Sequence, residues 1–420
     1  MAPADALLAA CLAAPDADLP RLAYADALDD LGDDAYAEFV RVQVAVAGTP
    51  PWQPLAVHVR HRRPDLGTGR PFRDRLPAVE NSLLGWAAEP FRRGLGWAVT
   101  VSQLNELLAV GDRLADLAPV GELHLPTGPL RDEWAALAAR PWLGRVRTLR
   151  FTGLALPIEP VRVFGDVPGG LRELRFDQAN SPAAGELLGG LARSPLGRQL
   201  TALHLRNGHP AEVDELLDEL ASGPLRVGAL SLVQIGLTAR TAARLAAGPL
   251  LDAVRTLDLT NSVALNDAGV RHLFPARGDR RLDSLTLANC GLADGAVRWL
   301  TWAAPVAGLK HLDLSGNPNV AGSLGGFGRE GTPAGLRALG LRQCGLTDPD
   351  VKPLTRAAFW PALVELDLRF NQIGNAGALH LVRADPPPDL TALLLTGNPI
   401  HEPLRQRLRA RYGGAVVFGE

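Results

Sequence analysis

The sequence predicts an α/β solenoid of short parallel strands and helices, preceded by a small all-α domain. The hexapeptide apolar-x-x-Leu-x-(Leu or Phe) recurs eleven times between Val120 and Leu395, closing at Leu125, Phe151, Phe176, Leu205, Leu232, Leu259, Leu287, Leu314, Leu341, Leu368 and Leu395. Successive closings lie 26, 25, 29, 27, 27, 28, 27, 27, 27 and 27 residues apart. A fixed period of this size marks stacked units that each touch only their neighbours. The two closing apolar residues of each hexapeptide stand two apart, so both face one side of a strand, the core side. Residues 1–48 lack the hexapeptide and read as helices.

Taken in order, the first helix runs from Ala4 to Ala14, the second from Pro20 to Leu31 and the third from Ala35 to Ala47. Asp16 and Asp18 precede the second, and Gly32-Asp33-Asp34 separates it from the third. Residues 49–70 are rich in Pro, Arg and Gly and read as a solvated connector, basic at Arg60-His61-Arg62-Arg63. Residues 71–93, with Leu76, Val79, Leu83 and Trp86, suit an amphipathic helix capping the open edge of the solenoid. The domain boundaries expected are therefore 1–48, 49–95 and 96–420. Trp97–Val101 reads as an opening strand and Ala415–Phe418 as a closing one, which would protect the sheet edges. Between hexapeptides come stretches suited to helices, as at Pro210–Ala221, Thr238–Ala247, Asp294–Ala303 and Asp348–Ala358. Several begin with Asp, Thr or Pro, as helix N-termini do.

Composition bounds the function. At 420 residues the chain exceeds one ordinary core, and a net charge of -2 argues against a general nucleic-acid binder. No run of about 18 apolar residues marks a membrane span. Met1–Pro15 carries Asp5 and lacks the basic start of a secretory leader. Cys11, Cys290 and Cys344 offer neither a disulfide framework nor a paired metal spacing, which fits a reducing cytoplasm.

In the second half the unit extends to Leu282-x-x-Leu285-x-Leu287-x-x-Cys290-x-Leu292, and to Leu363-x-x-Leu366-x-Leu368-x-x-Asn371-x-Ile373. This resembles the leucine-rich repeat with its Asn/Cys slot, and the length and the Cys/Asn alternation resemble its ribonuclease-inhibitor-like subclass. That resemblance implies a horseshoe with strands on the concave side and helices on the convex side, with a buried, inert thiol at each Cys slot. Earlier units depart from the pattern, offering Leu154, Ala179, Gly208 and Ile235 at the slot. The stretch Asp16 to Asp26, with Gly32-Asp33 and Ala37-Glu38-Phe39-Val40-Arg41-Val42-Gln43, resembles the bacterial repeat-companion domain, though Ala27 and Tyr36 depart from it. Arg21, Asp26, Glu38 and Arg41 are candidates for a polar network there.

No cofactor, metal or catalytic set emerges. Gly326-Phe327-Gly328-Arg329-Glu330-Gly331 matches a dinucleotide glycine pattern, but it falls in the helix slot rather than straight after a strand. The residues between the closing apolar pairs face outward: His124, Arg150, Arg175, His204, Ser231, Asp258, Thr286, Asp313, Gly340, Asp367 and Leu394. With Arg206, Arg342 and Arg369 beside them, basic groups dominate early and carboxylates recur on alternate strands later. The partner-binding candidates are therefore His124, Arg150, Arg175, His204, Arg206, Asp258, Asp313, Arg342, Asp367 and Arg369. The expected function is a monomeric, non-enzymatic scaffold that holds a protein partner on the concave face. The alternatives are a GTPase-activating or other regulatory role, and an enzyme site within the N-terminal region.

Overall fold

A computed structural model describes residues 3–77, 84–126, 131–152, 170–179, 184–208, 210–275, 280–301, 303, 306–328 and 333–419. These form two compact units, one of Met1–Pro51, His58–Gln178 and Ser194–Leu200, the other of Trp52–Val57, Ala179–Arg193 and Thr201–Glu420. No helix among the described residues is long and apolar enough to cross a membrane.

In the first unit, α1 (Pro3–Ala13), α2 (Leu19–Asp30) and α3 (Asp34–Ala47) match the three expected helices. They bury Ala25, Leu28, Tyr36, Phe39 and Val40. Phe39 stacks on Phe72 at 4.7 Å and meets Phe91 edge-on at 5.1 Å. The expected polar network divides into three separate arrangements. Arg41 bridges Asp26 and Asp29, Glu38 pairs with Arg63, and Arg21 is fully buried, donating from Nη1 to the Ala17 carbonyl at 2.8 Å.

The connector is more ordered than its composition suggests, because α4 (Pro54–Arg62) and α5 (Pro64–Thr68) occupy it. Each begins with proline, whose fixed φ suits a first helical turn. The amphipathic helix expected over 71–93 is absent from the described part of that span. A 3-10 turn at Arg70–Arg75 is followed by β1 (Leu84–Trp86); residues 78–83 lie outside the described set. Pro77, Gly85 and Pro90 disfavour helix, and the next strand offers an edge to pair with. A tight hairpin follows, β2 (Phe91–Arg92) to β3 (Leu95–Gly96), turning through Arg93 and Gly94 at φ 53° and 81°. Gly94 is required twice over, since a Cβ there would sit 2.7 Å from the Val40 Cα.

Then come β4 (Ala98–Val101), β5 (Glu122–Leu125), β6 (Thr148–Phe151) and β7 (Glu173–Phe176), paired in parallel, with β1 antiparallel on β4. Their inward residues, including Leu123, Leu149, Phe151, Leu174 and Phe176, are buried. Phe151 and Phe176 stack at 5.1 Å.

The second unit holds β8 (Ala202–Arg206), β9 (Ala229–Val233), β10 (Thr256–Asp258), β11 (Ser284–Thr286), β12 (His311–Asp313), β13 (Ala338–Gly340), β14 (Glu365–Asp367), β15 (Ala392–Leu394) and β16 (Val416–Val417). They pair in parallel in chain order. Helices at Pro210–Ser222, Ala239–Ala247, Asp294–Leu300 and Asp348–Thr355 occupy the expected stretches. Every closing Leu from Leu205 to Leu395 is at most 1% exposed, so no unit could bury its own face alone.

The slot residues knit successive units together. Asn317 accepts at Oδ1 from the Cys290 and Leu292 N–H groups and donates from Nδ2 to the Leu287 and Leu314 carbonyls. Asn371 does the same one period pair later. A second row was not visible in the repeat pattern. Asn207, Gln234, Asn261, Asn289, Gly316, Gln343, Phe370 and Gly397 all have positive φ, so each repeat from Leu205 to Leu395 leaves its strand through a left-handed residue. Only the glycines and asparagines of that row announce such a turn.

Residues Trp52–Val57 also belong to the second unit. Val57 packs with Val364, Ala392 and Leu394, which are buried with it. That contact covers the apolar end of the outward face and explains why a leucine stands at position 394.

Candidate functional site

In the first unit the outward residues form two rows. Thr100, His124, Arg150 and Arg175 are register partners across β4 to β7, and so are Ala98, Glu122, Thr148 and Glu173. The second row escaped the sequence reading, which followed only the residue between the closing apolar pair. The residue two earlier points the same way by the period of a strand. The early face is therefore not the basic surface expected. Arg150 donates from Nε to Asp177 at 2.8 Å, and Arg175 from Nε to Glu173 at 2.7 Å. The His124 ring lies 2.8 Å from a Glu122 oxygen through Nε2 and 3.3 Å from the Thr100 hydroxyl through Nδ1.

These groups line a cavity of about 710 Å³. One wall is the charged sheet face, with Glu122, His124, Thr148, Arg150, Glu173 and Arg175. The other is apolar and small, built from Ala47, Ala87, Ala88, Phe91, Trp97 and Ala98. Arg92 stacks over the Trp97 ring at 4.7 Å. Burial raises the Glu122 pKa, but the His124 hydrogen bond and the Arg175 charge outweigh it and hold the carboxyl below its ordinary value. Burial lowers the Arg175 pKa, and the charge and hydrogen bond of Glu173 reverse that, so the guanidinium stays cationic.

In the second unit, His204 is half-buried on β8 and Arg206 is exposed at its end. Asp258, Asp313 and Asp367 stand on alternate strands, as expected. Each also does local work. Their Oδ1 atoms accept from the N–H two residues on, at Thr260 (3.0 Å), Ser315 (2.8 Å) and Arg369 (3.0 Å). Arg369 clamps Asp367 through Nε and Nη2, and Arg342 lies over the Phe370 ring at 4.8 Å. The carboxylates therefore cap strand ends as well as carrying charge. Gly340 is less tolerant than an outward position suggests, since a Cβ would lie 2.4 Å from Asp313 Oδ1.

Cys290 and Cys344 are fully buried, and their thiols point at the Leu259 and Leu314 carbonyls, both at 3.2 Å. Burial pushes both thiols up to about 12. Of the glycine motif, Gly326–Gly328 end a 3-10 turn with Phe327 buried, and residues 329–331 lie outside the described set, as does Leu154. Among the described residues, no group of three or more His, Cys, Asp and Glu side chains is placed to hold a metal ion.

No curated protein matches the chain. Among solved structures, a chain of the Rad7 and Elc1 complex from yeast is similar at 14% identity, with TM-score 0.43, covering 71% of this chain and 84% of that one. A leucine-rich repeat protein of Leptospira interrogans is similar at 14% identity, with TM-score 0.30, covering 76% of this chain and 89% of that one. The model of the family described as Leucine Rich repeat matches residues 361–382, across β14 and the Asn371 slot. Parallel strands like β14 recur through the second unit in chain order, so the matched stretch is one of a row of similar units.

Proposed function

We propose that this protein is a non-enzymatic scaffold that captures a protein partner on the concave, strand-bearing face of a horseshoe of the ribonuclease-inhibitor-like subclass. The N-terminal helices act as a repeat-companion domain of the bacterial kind, and the setting is cytoplasmic. The observation that carries the reading is the way the outward side chains are held. Arg150, Arg175, Asp258, Asp313 and Asp367 are each fixed by a hydrogen bond to a near neighbour, so a partner meets charges that need little further ordering. His124, His204, Arg206, Arg342 and Arg369 complete that face.

The test is affinity capture from the native cell with the full chain and two double variants. Arg150→Gln with Arg175→Gln addresses the first unit. Asp313→Asn with Asp367→Asn addresses the second and keeps the Oδ1 acceptor that caps the strand end. A specific partner lost with either pair supports the reading. A partner retained by both variants but lost on deleting residues 1–48 moves the site to the helical segment.

A further inference from the structure

We propose that Trp52–Val57 is a resident ligand of the second unit, closing the β14 to β16 end of the outward face until a partner presenting a similar apolar helical turn displaces it. The proposal rests on reading the outward face as a binding surface and names what its far end takes.

The two outward rows change chemistry at the end of the sheet. One runs Asp313, Gly340, Asp367, Leu394 and Val417 in register, the other His311, Ala338, Glu365 and Ala392. Charged and polar groups therefore give way to Ala392, Leu394 and Val417 on the last two strands. Left open, a contiguous apolar patch of this kind marks an interaction site. Here it is already filled. Ala392 and Leu394 are 0% and 2% exposed, and Val57, itself fully buried, packs on them beside Val364 and Val417.

The way the segment is held makes it a ligand rather than part of the core. It is the first turn of α4, opened by Pro54, and its anchor is one valine side chain. Leu55 beside that anchor is 40% exposed, and Gln53 is exposed as well. Among the described residues no backbone hydrogen bond ties Trp52–Val57 to the sheet. Six residues bury far less than the roughly 1,200–2,000 Å² of a stable interface. The contact persists because the chain tethers it, at an effective concentration of order millimolar. A partner that offers the same turn and also reaches Asp367 and Asp313 on the neighbouring strands gains more surface than the segment gives up.

The probe is a terminally blocked, fluorescein-labelled peptide of residues 49–63, titrated with the full chain and read by fluorescence anisotropy. A millimolar tether that keeps the site closed about nine-tenths of the time or more implies a free-peptide Kd of about 0.1 mM or tighter. Val57→Asp removes the anchor in the chain, so that variant should bind the peptide saturably in this range. The parent should bind at least about tenfold more weakly, because its site is occupied. Val57→Ala shortens the anchor without adding charge; it should lie between the two, and it supplies the reading if the Asp variant does not fold. The peptide carrying Val57→Asp should not bind. Leu394→Gln added to Val57→Ala should remove binding while the far-UV circular dichroism stays that of the parent. No saturable binding to either folded Val57 variant up to about 1 mM would overturn the assignment. So would equal affinity for the parent and the variants, or binding indifferent to Leu394→Gln. If peptide binding fails while cell-partner capture still depends on Asp313 and Asp367, the resident-ligand assignment falls and the wider reading of the face stands.

Discussion

Replacing Asn371 with alanine removes one of the two asparagines that bond four ways between successive repeats, Asn317 being the other. Its Oδ1 accepts from the Cys344 and Leu346 N–H groups at 2.9 and 3.1 Å, and its Nδ2 donates to the Leu341 and Leu368 carbonyls at 2.8 and 2.9 Å. The residue is buried, so alanine strands two donors and the Leu341 carbonyl away from solvent, while the Leu368 carbonyl keeps its bond from Asn398 Nδ2. Each stranded buried group costs about 1–3 kcal/mol, and water entering the vacated space favours the lower figure, giving a loss of about 3 kcal/mol for the three groups. Asn398 provides the internal comparison. It serves one N–H, that of Ile373, and two carbonyls, those of Leu368 and Leu395. The Leu368 carbonyl keeps Asn371 in that variant, so Asn398→Ala should cost about 2 kcal/mol by the same rule. Urea unfolding followed by far-UV circular dichroism measures both. A loss under about 1 kcal/mol for Asn371→Ala, or a larger one for Asn398→Ala, would refute the assignment of the slot as the bridge between successive units.

Four further outcomes follow from the same structure. Cys290 and Cys344, pushed up to about 12 and fully buried, should resist an exposed-thiol reagent until urea is added, and rapid labelling of either would break the register of the second unit. Leu341→Asp puts an unpaired charge into the core and should abolish soluble folded protein; a cooperative melt near that of the parent would mean Leu341 faces outward. Gly340→Ala should destabilise by displacing Asp313, and the penalty should shrink in an Asp313→Ala background; a double-mutant cycle with no coupling would contradict the 2.4 Å approach. Glu122 has a folded pKa below its unfolded value, so its contribution to stability is present above the ordinary glutamate range and is lost as pH falls through the folded value. Glu122→Gln should therefore flatten the acid limb of the stability profile, and an unchanged limb would sink that linkage.

The sequence was most informative where one physical rule governs every unit. A core-facing Leu pair two residues apart has no alternative placement in a parallel strand, so the strands from β5 to β15 lie where the hexapeptides put them. Cys at the slot was legible as a buried position, but the four-way bonding of Asn317 and Asn371 depends on the preceding repeat. What escaped depended on contacts distant in sequence. Leu84–Trp86 became a strand because β4 offers an edge at Val99 to Val101, a partner invisible to local periodicity. Glu122 and Glu173 were overlooked, although the strand period already placed them beside His124 and Arg175. They convert an apparently basic patch into paired charges. The local pairing of Asp367 with Arg369 was legible from their spacing, but the backbone role of the outward Asp residues was not, because a hydrogen bond to the N–H two residues on is a local turn feature that strand periodicity does not reveal. Leu394 is the apolar member of the outward series, and its cover, Val57, lies too far away in sequence for periodicity to indicate it.

The central claim is that the strand-bearing face is where a partner binds, and hydrogen–deuterium exchange of the partner-bound protein tests it most directly. The account predicts slowed exchange at the strand ends and the turns after them, around Arg150–Thr152, Asp258–Thr260, Asp313–Ser315 and Asp367–Arg369, with Pro210–Ser222 and Ala239–Ala247 exchanging as in the free protein. Protection confined to those helices, with the strand ends unchanged, would contradict it.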